Sequence, residues 1–270
     1  MPVEVVHGVP VWRKRNRRQT LVTYLAYLLA AVAVLVAFRF ISNQTLWFFV
    51  LDAPEQVADL IGRMLPPRWS YANRLWRAMW DTINIATLGT LIAILISVPV
   101  AFLAARNTTP HPLLRQVAMI IIVSSRSVNS LIWALLLVSV IGPGLLAGVI
   151  AIALRSVGFC SKLLFEAIEE VNPRPLEALA SAGASGGQVV TYGITPQVLP
   201  AFAGIVLFRW DINIRSSTVI GLVGGGGIGV QLNASINALQ WSQVSVIFAM
   251  IIVLVVVAEW VSAKVRGAIQ

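Results

Sequence analysis

Four polar side chains stand close together inside a long apolar segment, and their types suit the binding of an anion. Residues 208–229 read FRWDINIRSSTVIGLVGGGGIG, in which Arg209, Asp211, Asn213 and Arg215 fall within seven residues. A guanidinium group offers paired donors in one plane, and these match the oxygens of a tetrahedral oxyanion. Oxyanion binding is therefore the first chemistry that this pattern indicates.

The helical spacing separates these four side chains into two stripes. Arg209 and Asn213 share one stripe, whereas Asp211 and Arg215 share another on nearly the opposite side of a helix. Because Asp211 and Arg215 are four residues apart, they can form an ion pair. We favour a structural role for this pair over contact with a ligand, which makes Arg209 the stronger candidate for binding an anion.

The glycines that follow invite a different interpretation. Gly224, Gly226 and Gly229 satisfy the pattern G-x-G-x-x-G. This pattern indicates dinucleotide binding only between a strand and a helix, and a phosphate-binding P-loop would also need a following lysine. Here an apolar segment precedes the glycines and no such lysine follows. The sequence therefore disfavours nucleotide binding and predicts a flexible or tightly turned loop.

The composition is that of a membrane protein. Of the 270 residues, 58% are hydrophobic and 11% are charged, whereas soluble domains carry about 25% charged residues. The net charge is +9, but five of the twenty basic residues stand in the run 13–18, which is typical of a cytoplasmic membrane flank rather than a nucleic-acid site. Cys160 is the single cysteine, and His7 and His111 are far apart, so no disulfide, metal site or catalytic site is predicted.

We expect an all-α polytopic protein with about six transmembrane helices, since a bilayer core needs about 20 apolar residues per helix. The sequence also divides into a cytoplasmic basic tail over 1–20, an outer interfacial segment over 42–80 and a core over 81–270. The first span is interpreted as a retained anchor rather than a signal peptide. The predicted spans are 21–41, 81–105, 116–141, 144–164, 199–222 and 241–263.

Basic residues set the expected orientation. With the N-terminus inside, eleven lysines and arginines fall in cytoplasmic segments and five in outer ones, which predicts that both termini are cytoplasmic. The cytoplasmic set is Arg13, Lys14, Arg15, Arg17, Arg18, Arg106, Arg115, Lys162, Arg174, Lys264 and Arg266. The outer set is Arg39, Arg63, Arg68, Arg74 and Arg77.

The predicted spans place four arginines at membrane depth and only one carboxylate, Asp211. The arginines are Arg126, Arg155, Arg209 and Arg215. A charge at the bilayer centre costs about 2.5–3.5 kcal/mol, so the surplus cations need a wet cavity, backbone carbonyl partners or a visiting anion. Arg155 is either such a charge or one that reaches an interface, and the others each have a structural alternative. The predicted substrate pathway consists of Arg126, Asn129, Arg209, Asn213 and Arg215.

One polar stretch, residues 166–197, is long enough to reach a partner on the cytoplasmic side. Pro175 suits the first turn of a helix, and we predict a short helix over 176–185 that is stopped by Gly186 and Gly187. Its small side chains would let another protein approach closely. The residues alone are equally consistent with a partner contact and with a plain loop helix.

The spacing in this stretch resembles the coupling loop of ABC-importer permeases. Gly183 stands six residues after Glu177, and Pro196 stands thirteen residues after Gly183. Leu179 replaces the usual second alanine of that motif. The resemblance implies a type I ABC-importer permease fold, with 81–270 as the permease core and 166–197 as its coupling loop. It also implies that the residues which couple to an ATPase are Glu177, Ala178, Leu179 and Gly183.

Within that family the chain most resembles the phosphonate-type permeases. The resemblance rests on the run RWDINIR at 209–215 followed by GLVG at 221–224, together with Arg126-Ser127 and IWALL at 132–136. Relatives often have Pro-Glu where Asn129-Ser130 stand. The resemblance implies a loop that faces a substrate-binding protein, formed by Gly224, Gly225, Gly226 and Gly227.

The expected function is that of a non-catalytic permease subunit in the bacterial cytoplasmic (inner) membrane. It would carry a phosphonate, or else phosphite or phosphate, by alternating access. The resemblance implies as partners a second copy of the chain, a cytoplasmic ABC ATPase dimer that holds ATP and Mg, a periplasmic or lipid-anchored binding protein, and membrane lipid, with no nucleic acid and no cofactor on this chain. A secondary anion transporter and a membrane enzyme acting on phospholipids are the alternatives.

Overall fold

A computed structural model describes residues 3–6, 8–12 and 17–269. The chain divides into two units at Leu60. The first unit begins with a hairpin of β1 (Val3–Val6) and β2 (Val9–Trp12), antiparallel, with Val6 opposite Val9. The composition of residues 1–20 predicts only a basic tail here. Valines favour strands, and Gly8, at φ +81°, supplies the tight turn that joins them. Most of the basic run, residues 13–16, lies outside the described residues.

Two helices follow the hairpin, α1 (Arg17–Gln44) and α2 (Trp47–Met64). The apolar side chains of α1 are exposed over its whole length. A helix that exposes apolar residues on every side suits a lipid environment. This agrees with an anchor helix over the predicted span 21–41.

The second unit is a helical bundle. A 3₁₀ turn (Trp69–Tyr71) leads into α3 (Ala72–Ala104), which is followed by α4 (Pro112–Ser127), α5 (Ser130–Ile141) and α6 (Leu145–Glu169). The later helices are α7 (Pro173–Ser181), the short α8 (Gly186–Gln188), a π-helical segment (Val189–Ile194), α9 (Thr195–Gly221), α10 (Ile228–Asn237) and α11 (Trp241–Ile269).

In the described residues, five helical segments are long and apolar enough to cross a membrane, and the bent pair α4–α5 makes a sixth. This confirms the predicted number of about six spans. The helices extend beyond several of the predicted spans, because polar residues at their ends are also helical. For example, α3 begins nine residues before the span predicted at 81.

The prediction of one continuous helix over 116–141 is wrong. The chain bends by 89° between α4 and α5, where Val128 is extended (φ −99°, ψ 132°) and Asn129 caps α5. Ala118 and Ile122 of α4 pack near the end of α6, in a cluster with Ile168, whereas Ala134 of α5 packs nearer the start of α6. The two helices therefore pack against different ends of α6.

The prediction of a helix over 176–185 is also wrong in its bounds. Asn172 caps α7 at its start by accepting a hydrogen bond from Arg174 N (3.1 Å). At the other end Gly183 has φ +84°, and Ala184 N bonds to Leu179 O (3.0 Å), a Schellman end. Gly186 and Gly187 do not stop this helix but begin α8.

The interior of the bundle is built on close contacts between α3, α6 and α9. A Cβ atom added to Gly89 of α3 would lie 2.7 Å from Ile152 Cγ2 of α6, so only glycine permits this approach. Three clusters of buried apolar residues surround this contact. The same three helices carry the polar residues considered next.

Candidate functional site

A buried polar layer lies near the middle of α3, α6 and α9. It consists of Thr90, Ser156, Arg209 and Asn213, each between 0% and 4% exposed. Each of these residues stands many residues from the ends of its helix. The layer therefore lies deep in the apolar bundle, as the sequence analysis expected for Arg209 and Asn213.

Arg209 is held by the protein itself. Its Nε donates a hydrogen bond to Ser156 Oγ (2.8 Å), and its Cζ lies 4.9 Å from the centre of the Phe159 ring. The guanidinium group thus has a polar partner on its edge and an aromatic face beside it. These contacts join α9 to α6.

Asn213 completes the connection to α3. Its Nδ2 donates to Thr90 Oγ1 (2.8 Å), and Ser156 Oγ donates to Asn213 Oδ1 (3.2 Å). Ser156 therefore bonds to both residues of the first stripe of α9, Arg209 and Asn213. Sequence reasoning missed Ser156 and Thr90, since single hydroxyl residues in apolar helices are common and carry no spacing signal.

The second stripe of α9 contains the predicted ion pair. Arg215 Nη2 donates to Asp211 Oδ2, which confirms that Asp211 and Arg215 pair. The Asp211 side chain is 7% exposed, whereas that of Arg215 is 50% exposed. Arg215 stands on the same face as Phe208, Ile212 and Val219, of which Phe208 and Val219 are exposed. One ion-paired arginine thus reaches out from a face of a central helix whose other exposed side chains, Phe208 and Val219, are apolar.

Two further polar residues, Asn129 and Arg155, form hydrogen bonds at the break between α4 and α5. Asn129 Oδ1 accepts from Leu131 N (3.2 Å), so this side chain caps α5. Arg155 Nη1 of α6 donates to Val128 O (3.2 Å), a carbonyl at the break. Arg155 was expected either to lie inside the bundle or to reach a membrane interface. The structure shows it inside the bundle, bonded to a backbone carbonyl. Arg126, near the end of α4, is exposed.

The surplus of positive charge persists in the structure. Among the described residues, no carboxylate lies within ion-pair distance of Arg126, Arg155 or Arg209, and Asp211 serves Arg215 alone. Within the part of the chain that the structure describes, three of these four arginines therefore have no carboxylate partner. The same part of the chain holds no cluster of three or more His, Cys, Asp or Glu side chains that could bind a metal ion.

The glycine loop after α9 is tightly packed rather than extended. Gly224, Gly226 and Gly227 have positive φ, and Gly225 and Gly227 are buried. Gly144 N bonds to Gly224 O (2.9 Å). The loop thus folds back onto the start of α6, and its two buried glycines contribute close packing.

At the opposite end of α9, the short helix α7 rests on the π-helical segment. Leu176 and Leu179 face this segment, and a Cβ added to Gly193 would lie 3.2 Å from Leu179 Cδ1. Gln197 links the two parts, because its Oε1 accepts from Asn172 N (2.9 Å) and its Nε2 donates to Gly193 O (2.8 Å). Glu177 and Ala178 lie on the exposed face, and Gly183 is exposed as well.

Comparison with known proteins agrees with this arrangement. Residues 97–265 match the family of binding-protein-dependent transport system inner membrane components. The chain is 41% identical over 217 residues to the phosphite transport system permease protein PtxC of Stutzerimonas stutzeri, covering 80% of this chain and 79% of that protein. It is 37% identical over 217 residues to the phosphate-import permease protein PhnE of Mycolicibacterium smegmatis, covering 80% of this chain and 41% of that protein.

A solved structure shows the same fold. A chain of the MetNI methionine ABC transporter, in an inward-facing conformation, matches with a TM-score of 0.62 at 20% identity. The match covers 73% of this chain and 96% of that chain. At this identity the likeness establishes the helical architecture and nothing about the ligand.

Proposed function

The chain belongs to the family of binding-protein-dependent transport system inner membrane components, and from this premise we propose that it carries a phosphonate across the membrane. Phosphite or phosphate is the alternative cargo. Membership makes the chain a multi-pass membrane subunit of an importer rather than a catalyst. The relatives are named for phosphite and phosphate transport, and the motif at 209–215 resembles the phosphonate-type permeases.

The observation that carries this proposal is the position of Arg215. Its side chain is half-exposed on a central helix, beside its ion-pair partner Asp211 and among exposed apolar side chains, and a charge that faces lipid is costly. Such a face requires water or another protein beside it. We place a second copy of the chain opposite this face, so that the two copies enclose a wet path for the anion.

The other polar residues divide into two roles. Arg126 is exposed beside the break in α4–α5, which makes it the second candidate for contact with the anion. Arg209 and Asn213 are held by Ser156 and Thr90, so we assign them to keeping α3, α6 and α9 together and to contributing positive potential. Asn129 shapes the break by capping α5.

Transport would follow from movement of α7. In the proposed mechanism, an ABC ATPase dimer docks on the exposed face of α7 around Glu177 and Ala178. Closure of that dimer on ATP and Mg²⁺ moves α7, and Leu179 and Gln197 transmit the movement to α9, which carries Arg215. The C-cap at Gly183 sets the length of α7. The path then switches between the two sides of the membrane.

The orientation and remaining partners follow from the same proposal. We place α7 and both termini in the cytoplasm, in accordance with the distribution of lysine and arginine. A binding protein, periplasmic or lipid-anchored, would deliver the anion at the other end, beside the loop of Gly224, Gly225, Gly226 and Gly227. Lipid would surround the rest of the bundle.

Reconstitution tests the proposal. The chain, its partner ATPase and its binding protein are assembled in proteoliposomes, and ATP-dependent uptake of methylphosphonate, phosphite, phosphate and sulfate is measured. We expect uptake of phosphorus oxyanions but not of sulfate. Arg126→Ala and Arg215→Ala should each lower substrate-stimulated ATP hydrolysis by about tenfold, because each loses a charge-assisted contact with the anion.

The matched control is Arg106→Ala, which removes an exposed arginine near the α7 end of the bundle, where it pairs with Glu169 at 3.9 Å. This variant should transport normally. If neither Arg126→Ala nor Arg215→Ala lowers the stimulated hydrolysis, the assignment of an anion path to these helices is wrong. Uptake by the purified chain without ATP or partners would instead identify a secondary anion transporter.

A further inference from the structure

A cavity of about 400 Å³ opens at the end of the bundle opposite α7. It lies between the first turns of α3, the start of α6 and the start of α10. Two arginines, Arg74 and Arg77, line it together with Asp81, Gly226, Gly227 and Gln231. The pathway residues at 126 and 209–215 are not part of it.

The charged side chains of this cavity are available to a ligand. Arg74 and Arg77 are exposed and three residues apart, so they lie on one face of α3. In the described part of the chain, neither they nor Asp81 forms a side-chain hydrogen bond or an ion pair. Asp81 is four residues beyond Arg77 and half-buried. Three charged groups therefore line one cavity and are free to form hydrogen bonds with a ligand.

The backbone adds a second source of positive potential. Gly226 and Gly227 have φ of +88° and +74°, which lets the chain turn sharply before α10 begins at Ile228. Ile228 N bonds to Thr82 Oγ1 (2.8 Å), which fixes this turn against α3. The N-terminal end of α10 thus borders the cavity, and helix N-termini favour anions.

The amide of Gln231 is oriented by a neighbour. Tyr71 Oη donates to Gln231 Oε1 at 3.2 Å. Because this bond occupies the amide oxygen, the amide NH₂ is left as the donor available to the cavity. Two guanidinium groups, this amide and a helix N-terminus make a set of donors that suits an oxyanion.

Asp81 distinguishes one class of oxyanion from another. A carboxylate can only accept hydrogen bonds, so it opposes an anion without a proton and favours one that carries an O–H group. Two arginines and one aspartate leave a net charge of +1, which matches a monoanion. Methylphosphonate and phosphite carry one P–OH group in their monoanions, and phosphate carries at least one in both forms present near neutral pH, whereas sulfate has none.

We propose that this cavity is a second anion site, the outer anion site, which holds a monoprotonated phosphorus oxyanion before it reaches the arginines at mid-depth and which rejects sulfate. The choice of phosphorus oxyanions rests on the proposed function. Arg74, Arg77 and Gln231 bind the negative oxygens, and Asp81 accepts the hydrogen bond from P–OH.

Binding to the isolated chain tests the site. The full chain is purified in a maltoside detergent, which contains no phosphate, and titrated calorimetrically with methylphosphonate and with sulfate. We expect methylphosphonate to bind and Arg77→Ala to weaken it by about tenfold or more, because a charge-assisted hydrogen bond is lost. Arg77→Lys should restore part of the affinity, since lysine keeps the charge but not the paired donors.

Asp81→Asn probes the selectivity separately. An amide can donate to an unprotonated oxygen, so this variant should bind sulfate at least about tenfold more tightly than the unmodified chain does. The matched control is Arg68→Ala, which removes an exposed arginine at the same end of the bundle but outside this cavity. That variant should bind both anions as the unmodified chain does.

Several results would overturn the outer anion site. Normal methylphosphonate affinity in Arg77→Ala, or unchanged discrimination in Asp81→Asn, would show that the cavity does not bind this anion. Loss of methylphosphonate binding on addition of phosphatidylglycerol would identify a lipid headgroup site instead. An Arg77→Ala variant that binds normally but no longer responds to the binding protein would identify a docking surface.

These outcomes differ from failure of the proposed function. If the assembled complex imports methylphosphonate while Arg77→Ala binds it normally, the outer anion site is wrong and the transport proposal stands. If the complex imports no phosphorus oxyanion, the transport proposal fails, whatever the calorimetric result for the isolated chain.

Discussion

The two ends of α9 are built in opposite ways. At its C-terminal end the backbone packs directly against backbone: a Cβ added to Gly229 would lie 2.0 Å from Thr218 O, and one added to Gly148 of α6 would lie 2.3 Å from Gly225 O. At its N-terminal end, α9 continues from a π-helical segment on which α7 rests through leucine side chains and Gln197.

This difference indicates how the bundle can move. Backbone atoms in direct contact have no rotatable side chain to absorb a displacement, so the glycine end is expected to stay fixed. Side-chain contacts can rearrange, and α7 has no buried residue of its own. We therefore expect the α7 end to behave as the moving part of α9 and the glycine end as its pivot.

The largest effect is expected from a substitution at the pivot. Gly229→Ala would push a methyl group into the carbonyl of Thr218, and the backbone would have to shift to relieve the overlap. We expect a loss of about 3 kcal/mol or more in the free energy of unfolding. Thermal unfolding of the purified chain in detergent, followed by tryptophan fluorescence, measures this loss.

Gly204→Ala is the matched control for that substitution. Gly204 is also in α9, but a Cβ added there meets no atom within 4 Å. Alanine favours a helix over glycine by about 1 kcal/mol, so this variant should be as stable as the unmodified chain or slightly more stable. Equal unfolding temperatures for the two variants would show that the glycine end is not rigid.

A change at the moving end should abolish function and leave stability intact. Glu177 is exposed on α7 and makes no side-chain bond within the described residues. Glu177→Lys should therefore alter the free energy of unfolding by no more than about 0.5 kcal/mol. In the assembled transporter, uptake should fall to background, because the reversed charge disrupts docking of the ATPase.

Glu170→Lys makes the same change of charge in an exposed residue outside α7. We expect this variant to insert and to transport. Normal uptake by Glu177→Lys would contradict the docking role of α7. Equal loss of uptake in both variants would show that the net charge of the loop matters rather than this helix.

Much of the fold follows from the sequence because apolar runs of this length have few alternatives in a bilayer. The bend at Val128 could not be predicted in this way. No proline or glycine marks it, and one of its stabilising contacts comes from Arg155, a residue of another helix. The predicted start of α7 is three residues too late. Pro173 and Arg174 indicate a helix break in the sequence, but in the structure Asn172 caps α7 and both residues belong to its first turn.

The candidate site was predictable only where its contacts are local. Asp211 and Arg215 are four residues apart on one helix, so their spacing in the sequence was sufficient to predict the ion pair. The partners of Arg209 and Asn213 come from α3 and α6, and no pattern in the sequence of α9 identifies Ser156 or Thr90 among many similar residues. Tertiary packing therefore decides which polar residues are held and which remain available to a ligand.

The smallest effect on transport, and the sharpest test of the link between α7 and α9, is expected from Gln197→Ala. This change removes the hydrogen bonds of Gln197 to Asn172 N and to Gly193 O, so stability should fall by only about 1 kcal/mol. ATP hydrolysis should continue while less substrate is moved per ATP, because α7 can then shift without displacing α9. Thr191→Ala is the control, since Thr191 Oγ1 donates to Gly187 O of the adjoining helix α8 (2.9 Å) and, among the described residues, makes no side-chain bond to α7 or α9. An unchanged ratio of substrate to ATP in Gln197→Ala would mean that the leucine contacts alone transmit the movement.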